Sequence, residues 1–258
     1  MVEGPTAKVY TLKLSKFVGS EIKEIYWRSK KVKVKKEDLV GKIIDKVDCI
    51  GKNIFIFIDE FVIRIHLMLY GSIHFYKINE KLLKPEKQVR LFIKTGKGKI
   101  VVYNAPIIEI NDYSLFEKLK NQLGPDPLRK DWNLEEALSR LKSRKNNKIK
   151  IVLLDQTCIA GIGNILANEI LFRAKIHPDS LVGKIPERKL RFLLKITENL
   201  SKEFFERKKK RKRIKSILFV YNKFNKPCPI CGNPIKFYLQ EPNKRKIFVC
   251  EKCQVLYD

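Results

Sequence analysis

The chain has 258 residues, 44% hydrophobic and 10% aromatic, enough to bury one large or two modest cores. No apolar run approaches the roughly 18 residues of a membrane span, and neither a signal peptide nor a long helix with a broad exposed apolar face is expected. Lys+Arg 55 against Asp+Glu 28 leaves a net charge of +27, which points to a polyanion, most simply nucleic acid held by phosphate contacts.

The chain starts Met1-Val2-Glu3-Gly4-Pro5. If Met1 is removed, Val2 supplies an α-amine, roughly one in seven of which is uncharged at pH 7, and a neutral amine is a ready Schiff-base former. Glu3 beside it is placed to move a proton. The same stretch also reads as a plain loop leading into a helix, with Pro5 in the first turn. Tyr10, Leu14 and Phe17 follow at helical spacing and Gly19 ends that segment. Short β-rich runs come next, at 43–50, 53–58, 61–69, 71–76, 89–94 and 99–102. The uninterrupted Ile54-Phe55-Ile56-Phe57-Ile58 predicts a strand buried on both faces. Six such strands in about 100 residues predict a sandwich or barrel.

From Ser114 the pattern turns helical. Gly124-Pro125-Asp126-Pro127 marks an interdomain linker. Residues 133–206 predict several helices, with capping-box spacing at Asn133 and Glu136, and the longest helix opens at Pro186. Seven basic residues, Arg207 to Arg213, then repel one another and stay solvated or meet phosphate. The expected domains are a β-sandwich over 1–123, a linker over 124–130, a helical domain over 131–220 and a C-terminal cysteine-bearing domain over 221–258.

Cys228-x2-Cys231-x18-Cys250-x2-Cys253 has the spacing of a closed tetrahedral zinc site across a β-hairpin, so one structural Zn2+ is expected. Cys49 and Cys158 stand alone in apolar settings and read as buried, inert thiols. In Leu154-Asp155-Gln156-Thr157-Cys158-Ile159-Ala160-Gly161-Ile162-Gly163-Asn164, a helix ends and another begins. Gly161 and Gly163 allow backbone N–H groups to approach a phosphate, with Asn164 as helix cap or phosphate donor; a simple helical hairpin gives the same pattern. Gly51-Lys52 between two strands is either a phosphate-holding turn or ordinary surface. Met68-Leu69-Tyr70-Gly71 is either core packing or a wedge that fills the gap left by an extruded base.

Taken together and in this order, these stretches resemble the formamidopyrimidine-DNA glycosylase/endonuclease VIII family. The resemblance rests on Val2-Glu3-Gly4-Pro5, Gly51-Lys52, the helix-two-turn-helix segment and the four-cysteine finger. It implies an α+β protein: a β-sandwich carrying the terminal nucleophile, then a helix-two-turn-helix domain and a zinc finger that grip DNA across a basic cleft. By matching position, Val2 would attack C1′ of the damaged nucleotide and Glu3 would transfer protons. Lys52, Asn164 and Arg245 would hold phosphates, and Leu69 and Tyr70 would form the wedge. The implied reaction is base excision through a Schiff base followed by β- or β,δ-elimination, by a monomer acting on damaged double- or single-stranded DNA without a diffusible cofactor. The implied location is the cytoplasm or nucleoid of a prokaryote, or a eukaryotic nucleus.

Four departures place the chain nearer endonuclease VIII. Valine replaces the usual proline nucleophile, as in the vertebrate endonuclease VIII-like 3 type. The Leu69-Tyr70-Gly71 turn and the segment Tyr103-Asn104-Ala105-Pro106-Ile107-Ile108-Glu109 lack features of the 8-oxoguanine enzyme. Residues 207–221 are too few for a long lid over 8-oxoguanine. Oxidised pyrimidines and hydantoins are the expected lesions. The competing readings are a predominantly abasic-site lyase with weak base excision, and a non-catalytic zinc protein that binds nucleic acid.

Overall fold

The computed structural model describes residues 2–29, 32, 34–242 and 244–258, so Met1 lies outside the described residues. The chain divides into two compact units, Met1–Gln122 and Leu123–Asp258.

Unit 1 is a sandwich of two four-stranded antiparallel sheets. One has the order β1(Ile22–Trp27), β6(Val89–Thr95), β7(Gly98–Tyr103), β5(Ser72–Tyr76); the other runs β2(Lys46–Ile50), β3(Asn53–Ile58), β4(Phe61–His66), β8(Ile107–Asp112). Helix α1(Gly4–Leu14) contributes Ala7 and Leu14 to the same core. Ile54, Ile56 and Ile58 of β3 face that core. Phe55 and Phe57 point the other way, onto Phe116 of α2(Ser114–Gln122), at ring-centroid distances of 5.0 and 5.1 Å. All six β3 residues are therefore buried, which is why no polar residue interrupts the run.

Strand β4 stops at His66, earlier than the pattern suggests, because residues 67–71 turn and Met68 takes a left-handed conformation with φ 49°. Strand β1 escapes the alternation rule. In β1, a register shift between Ile22 and Glu24 puts both Ile22 and Ile25 inside. A bulge of this kind breaks the period of two. Strand β8 is a sheet edge whose Ile108 and Ile110 face the core while Glu109 faces out.

Unit 2 packs α3(Leu134–Lys142), α4(Ile149–Leu154), α5(Asn164–Ala174) and α6(Glu187–Lys209) around one apolar cluster, followed by the hairpin β9(Lys236–Gln240), β10(Arg245–Val249). Pro186 is the N-cap of α6, and the side chain of Asn133 caps α3 by accepting from Glu136 N–H. Residues 124 and 125 lie against this unit: Gly124 N–H donates to Gln156 C=O and Ala160 N–H to Pro125 C=O. No helix among the described residues is long and apolar enough to cross a membrane.

Candidate active site and nucleic-acid interface

The start of α1 fixes the first candidate residues. Glu3 is its N-cap, extended at φ −116°, and its carbonyl accepts from Thr6 and Ala7 N–H. Its side chain makes no cap bond, so capping is not what the carboxylate is there for. Val2 and Glu3 are both buried, at 9% and 4% exposure. The Val2 nitrogen donates to Met68 C=O at 3.2 Å. The structure thus sets the expected nucleophile directly against the expected wedge.

That wedge is a tight turn. Gly71 N–H donates to Leu67 C=O at 2.8 Å, and a Cβ at position 71 would lie 2.5 Å from that oxygen, so only glycine fits. Closing the turn this tightly pushes Met68, Leu69 and Tyr70 outward. They are 47%, 49% and 82% exposed, a contiguous apolar projection rather than core.

Lys52 stands in the two-residue turn joining β2 and β3, after Gly51 at φ 58°. Asn53, the next residue, pairs across the strands with His66. His66 belongs to no motif in the sequence, although it stands just two residues before the wedge. Its Nδ1 accepts from Met68 N–H at 3.4 Å. Burial, then the charges of Arg64 and Lys52, push the imidazole down to about 4, so it is neutral near pH 7 with its proton on Nε2. Arg64 is itself held by Asn53 Oδ1 at 2.9 Å and Glu109 Oε2 at 2.6 Å. Lys52, His66 and the Val2–Met68 contact are in this way brought to one end of the β3–β4 ladder.

In unit 2 the turn between α4 and α5 is built on two side chains. Asp155 accepts from Thr157 N–H and Oγ1–H and pairs with Arg144 Nε at 3.0 Å. Burial pushes the Asp155 carboxyl up, but these partners outweigh it and hold the group below the usual carboxylate range. The Gln156 amide bridges the turn, donating to Leu154 and Ile162 C=O and accepting from Gly161 N–H. Gly161 is left-handed at φ 91°, and Gly163, not Asn164, is the N-cap of α5. Asn164 is 6% exposed and donates from Nδ2 to Lys246 C=O at 3.1 Å.

The same carbonyl also receives Lys150 Nζ at 2.7 Å and Asn168 Nδ2 at 3.3 Å, while Asn168 Oδ1 accepts from Phe248 N–H. Lys150 is fully buried. Arg245, one residue before this clamp, is exposed at the start of β10 and borders a cleft of about 290 Å3 with Asp155, Gln240 and Glu241. A second clamp lies further along α5: the buried Glu169 carboxylate accepts from Phe219, Val220 and Tyr221 N–H at 2.8–2.9 Å. Burial pushes that carboxyl up, and the three donors oppose the shift. None of Lys150, Asn168 or Glu169 stands out in the sequence, because nothing local marks a side chain whose partner is 50 to 96 residues away.

Cys228, Cys231, Cys250 and Cys253 converge at the base of the β9–β10 hairpin, with all four Sγ within 4.8 Å of one another. Cys228–Cys253 and Cys231–Cys250 are 3.8 and 3.5 Å apart. A tetrahedral site with Zn–S bonds near 2.3 Å needs S···S separations of about 3.8 Å, so the donor set fits one zinc ion. Cys49 and Cys158 are buried elsewhere, and burial pushes the Cys158 thiol up to about 12, which keeps it inert.

Comparison with known proteins gives a consistent result. The formamidopyrimidine-DNA glycosylase N-terminal domain matches residues 1–106, and the formamidopyrimidine-DNA glycosylase H2TH domain matches residues 123–216. The formamidopyrimidine-DNA glycosylase of Photobacterium profundum is 30% identical over 92% of this chain and 93% of its own length. Endonuclease 8 1 of Mycobacterium tuberculosis is 31% identical over 84% and 85%. The crystal structure of Lactococcus lactis Fpg with DNA containing an abasic site superposes with a TM-score of 0.86 at 25% identity, covering 98% of this chain and 99% of that one.

Proposed function

The chain belongs to the formamidopyrimidine-DNA glycosylase/endonuclease VIII family of base-excision repair DNA glycosylases, and on that premise we propose that it removes oxidised bases with Val2 as nucleophile and then nicks the strand. The observation that carries this reading is the Val2 nitrogen, held 3.2 Å from the Met68 carbonyl and one residue from the buried Glu3.

With Met1 removed, the Val2 lone pair bonds C1′, the glycosidic bond breaks, and the base leaves with its electron pair and takes up a proton. Ring opening at O4′ yields a protonated imine. Loss of a C2′ proton expels the 3′ phosphate, and water then hydrolyses the imine to regenerate the amine. Glu3 carries protons at the sugar in these steps. A primary amine gives an imine that must be protonated to act as an electron sink, whereas a proline gives an iminium already charged, so this chain depends on Glu3 more than a proline enzyme would.

Lys52 binds a phosphate near the reacting sugar. Asn164 has two amide protons; one is committed to Lys246 and the other is offered to a phosphate. Arg245 adds a further phosphate contact, and Leu69 and Tyr70 fill the space of the extruded nucleotide. The four cysteines hold a structural zinc, which stabilises the hairpin that carries Arg245 and takes no part in the chemistry.

The exposed Met68-Leu69-Tyr70 projection and the short 207–221 segment favour oxidised pyrimidines and hydantoins, the endonuclease VIII side of the family. Domain boundaries at 1–123, 131–220 and 221–258, with a linker over 124–130, are proposed to separate chemistry from DNA grip. The enzyme is proposed to act as a monomer.

Borohydride reduction of the enzyme mixed with DNA carrying an oxidised pyrimidine tests the assignment. The expected product is a covalent adduct whose peptide map ends at Val2, with an intact mass lacking Met1. An adduct on a lysine, or full turnover by protein that retains Met1, overturns it.

A further inference from the structure

We infer that His66 is a positioning residue for the nucleophilic nitrogen, acting through the main chain of Met68. The inference rests on the reading of Val2 as nucleophile. It assigns His66 Nδ1 a task separate from any contact its Nε2 makes to DNA.

Met68 sits in the left-handed region at φ 49°, a conformation that residues with a Cβ disfavour and that persists only where its surroundings over-determine it. Both ends of the residue are gripped. Its N–H donates to His66 Nδ1, and its C=O accepts the Val2 nitrogen. Releasing the N–H lets the 67–71 turn relax, and the carbonyl that aims the nucleophile rotates with it.

His66 is well placed for this hold. It is the last residue of β4, with Asn53 and Ile107 as its partners on either side, so its backbone is fixed by two strands. The charged groups facing its ring are Arg64 and Lys52, and both disfavour a protonated imidazole. Glu109 does not offset them, because it pairs with Arg64. Protonation would turn Nδ1 into a donor opposite another donor, the Met68 N–H, and the hold would be lost. A neutral ring with a bare Nδ1 is the state the turn needs.

The consequence for the chemistry is orientation. Once Met1 is gone, the Met68 carbonyl takes one N–H of the Val2 amine and leaves its lone pair to face C1′. An amine without that bond samples many orientations, which lowers the rate of attack without changing how well DNA binds.

Two substitutions separate the two nitrogens. His66→Asn places an acceptor where Nδ1 was; His66→Gln reaches the Nε2 position and removes the inner acceptor. Single-turnover borohydride trapping on saturating abasic DNA gives the rate, and titration gives the affinity. At saturating DNA, His66→Asn is expected to trap about ten- to a hundredfold faster than His66→Gln, because only Asn restores the inner acceptor. If Asn does not trap faster than Gln, the inference is overturned.

Should either variant fail to fold, 15N chemical shifts of His66 in the wild-type protein decide. A bare, hydrogen-bonded Nδ1 with a protonated Nε2 is expected near pH 7, and the opposite tautomer sinks the proposal. Wild-type trapping at a residue other than Val2 would reject the reading of the nucleophile. Trapping at Val2 with no advantage of Asn over Gln rejects this inference alone.

Discussion

In unit 1 the Val2 nitrogen is held by the backbone of a single turn, whereas in unit 2 the exposed Arg245 rides on a strand clamped by side chains 78 to 96 residues distant. The turn offers few bonds, one left-handed residue and an exposed apolar tip. The clamp offers a carbonyl with three donors, and a second clamp holds residues 219–221 through a buried carboxylate with three more. Leaving such buried donors unpaired costs roughly 1–3 kcal/mol each, so the clamp resists displacement. The turn can shift for much less, as its proposed role as a wedge entering a base stack requires. On the proposed function, the molecule separates a rigid grip on DNA from a reactive centre that is stiff only where the nucleophile is aimed.

The most severe way to break this contrast is to disable the four-cysteine site. Structural zinc sites contribute on the order of 10 kcal/mol to small domains, so Cys250→Ser or chelation is expected to abolish the hairpin and reduce lesion-DNA affinity by at least about 100-fold in a gel-shift titration. Amide exchange in β3 and β4 is expected to stay slow, because the sandwich owns its core. Loss of protection there would show that the sandwich does not hold its fold on its own core. A smaller but sharper effect is expected from Glu3→Gln. It keeps the shape and removes the proton carrier, so base excision falls by about 10²–10⁴-fold while the dissociation constant stays within about twofold. Weaker binding with normal excision would place Glu3 in the grip rather than the chemistry.

The contrast also explains what can be read from the sequence. Residues that act through their own neighbours are visible there: Val2-Glu3 at a helix start, Gly51-Lys52 in a hairpin turn, the paired cysteines, and Leu69-Tyr70 before a required glycine. Helix signals are legible too, with Pro186 and Asn133 at the caps that their residue types predict. What stays hidden depends on distance or irregularity. The bulge in β1 puts Ile22 and Ile25 on one face and hides a strand. Lys150, Asn168 and Glu169 look like ordinary helix residues until the finger folds over them. The sequence gives Asn164 the look of a helix cap or phosphate ligand, and its bond to Lys246 depends on a strand 82 residues away. His66 is illegible because an isolated histidine in a strand carries no pattern.

The mildest substitution sharpens the contrast further. Arg245 is exposed, pairs with Gln240 through its backbone, and is followed by the clamped Lys246 carbonyl. Arg245→Ala therefore removes a charge without disturbing the strand, and the melting temperature is expected to stay within about 2 °C, as for ordinary surface changes. Binding should weaken alike for oxidised pyrimidine, hydantoin and abasic DNA, since a side chain that holds a phosphate carries no lesion information. The slope of log K against log salt should become shallower by about 0.9 for duplex DNA, because one phosphate fewer is neutralised and one counterion fewer is released. A loss confined to one lesion would instead move Arg245 into the recognition pocket, and the rigid half of the molecule would then take part in choosing the base.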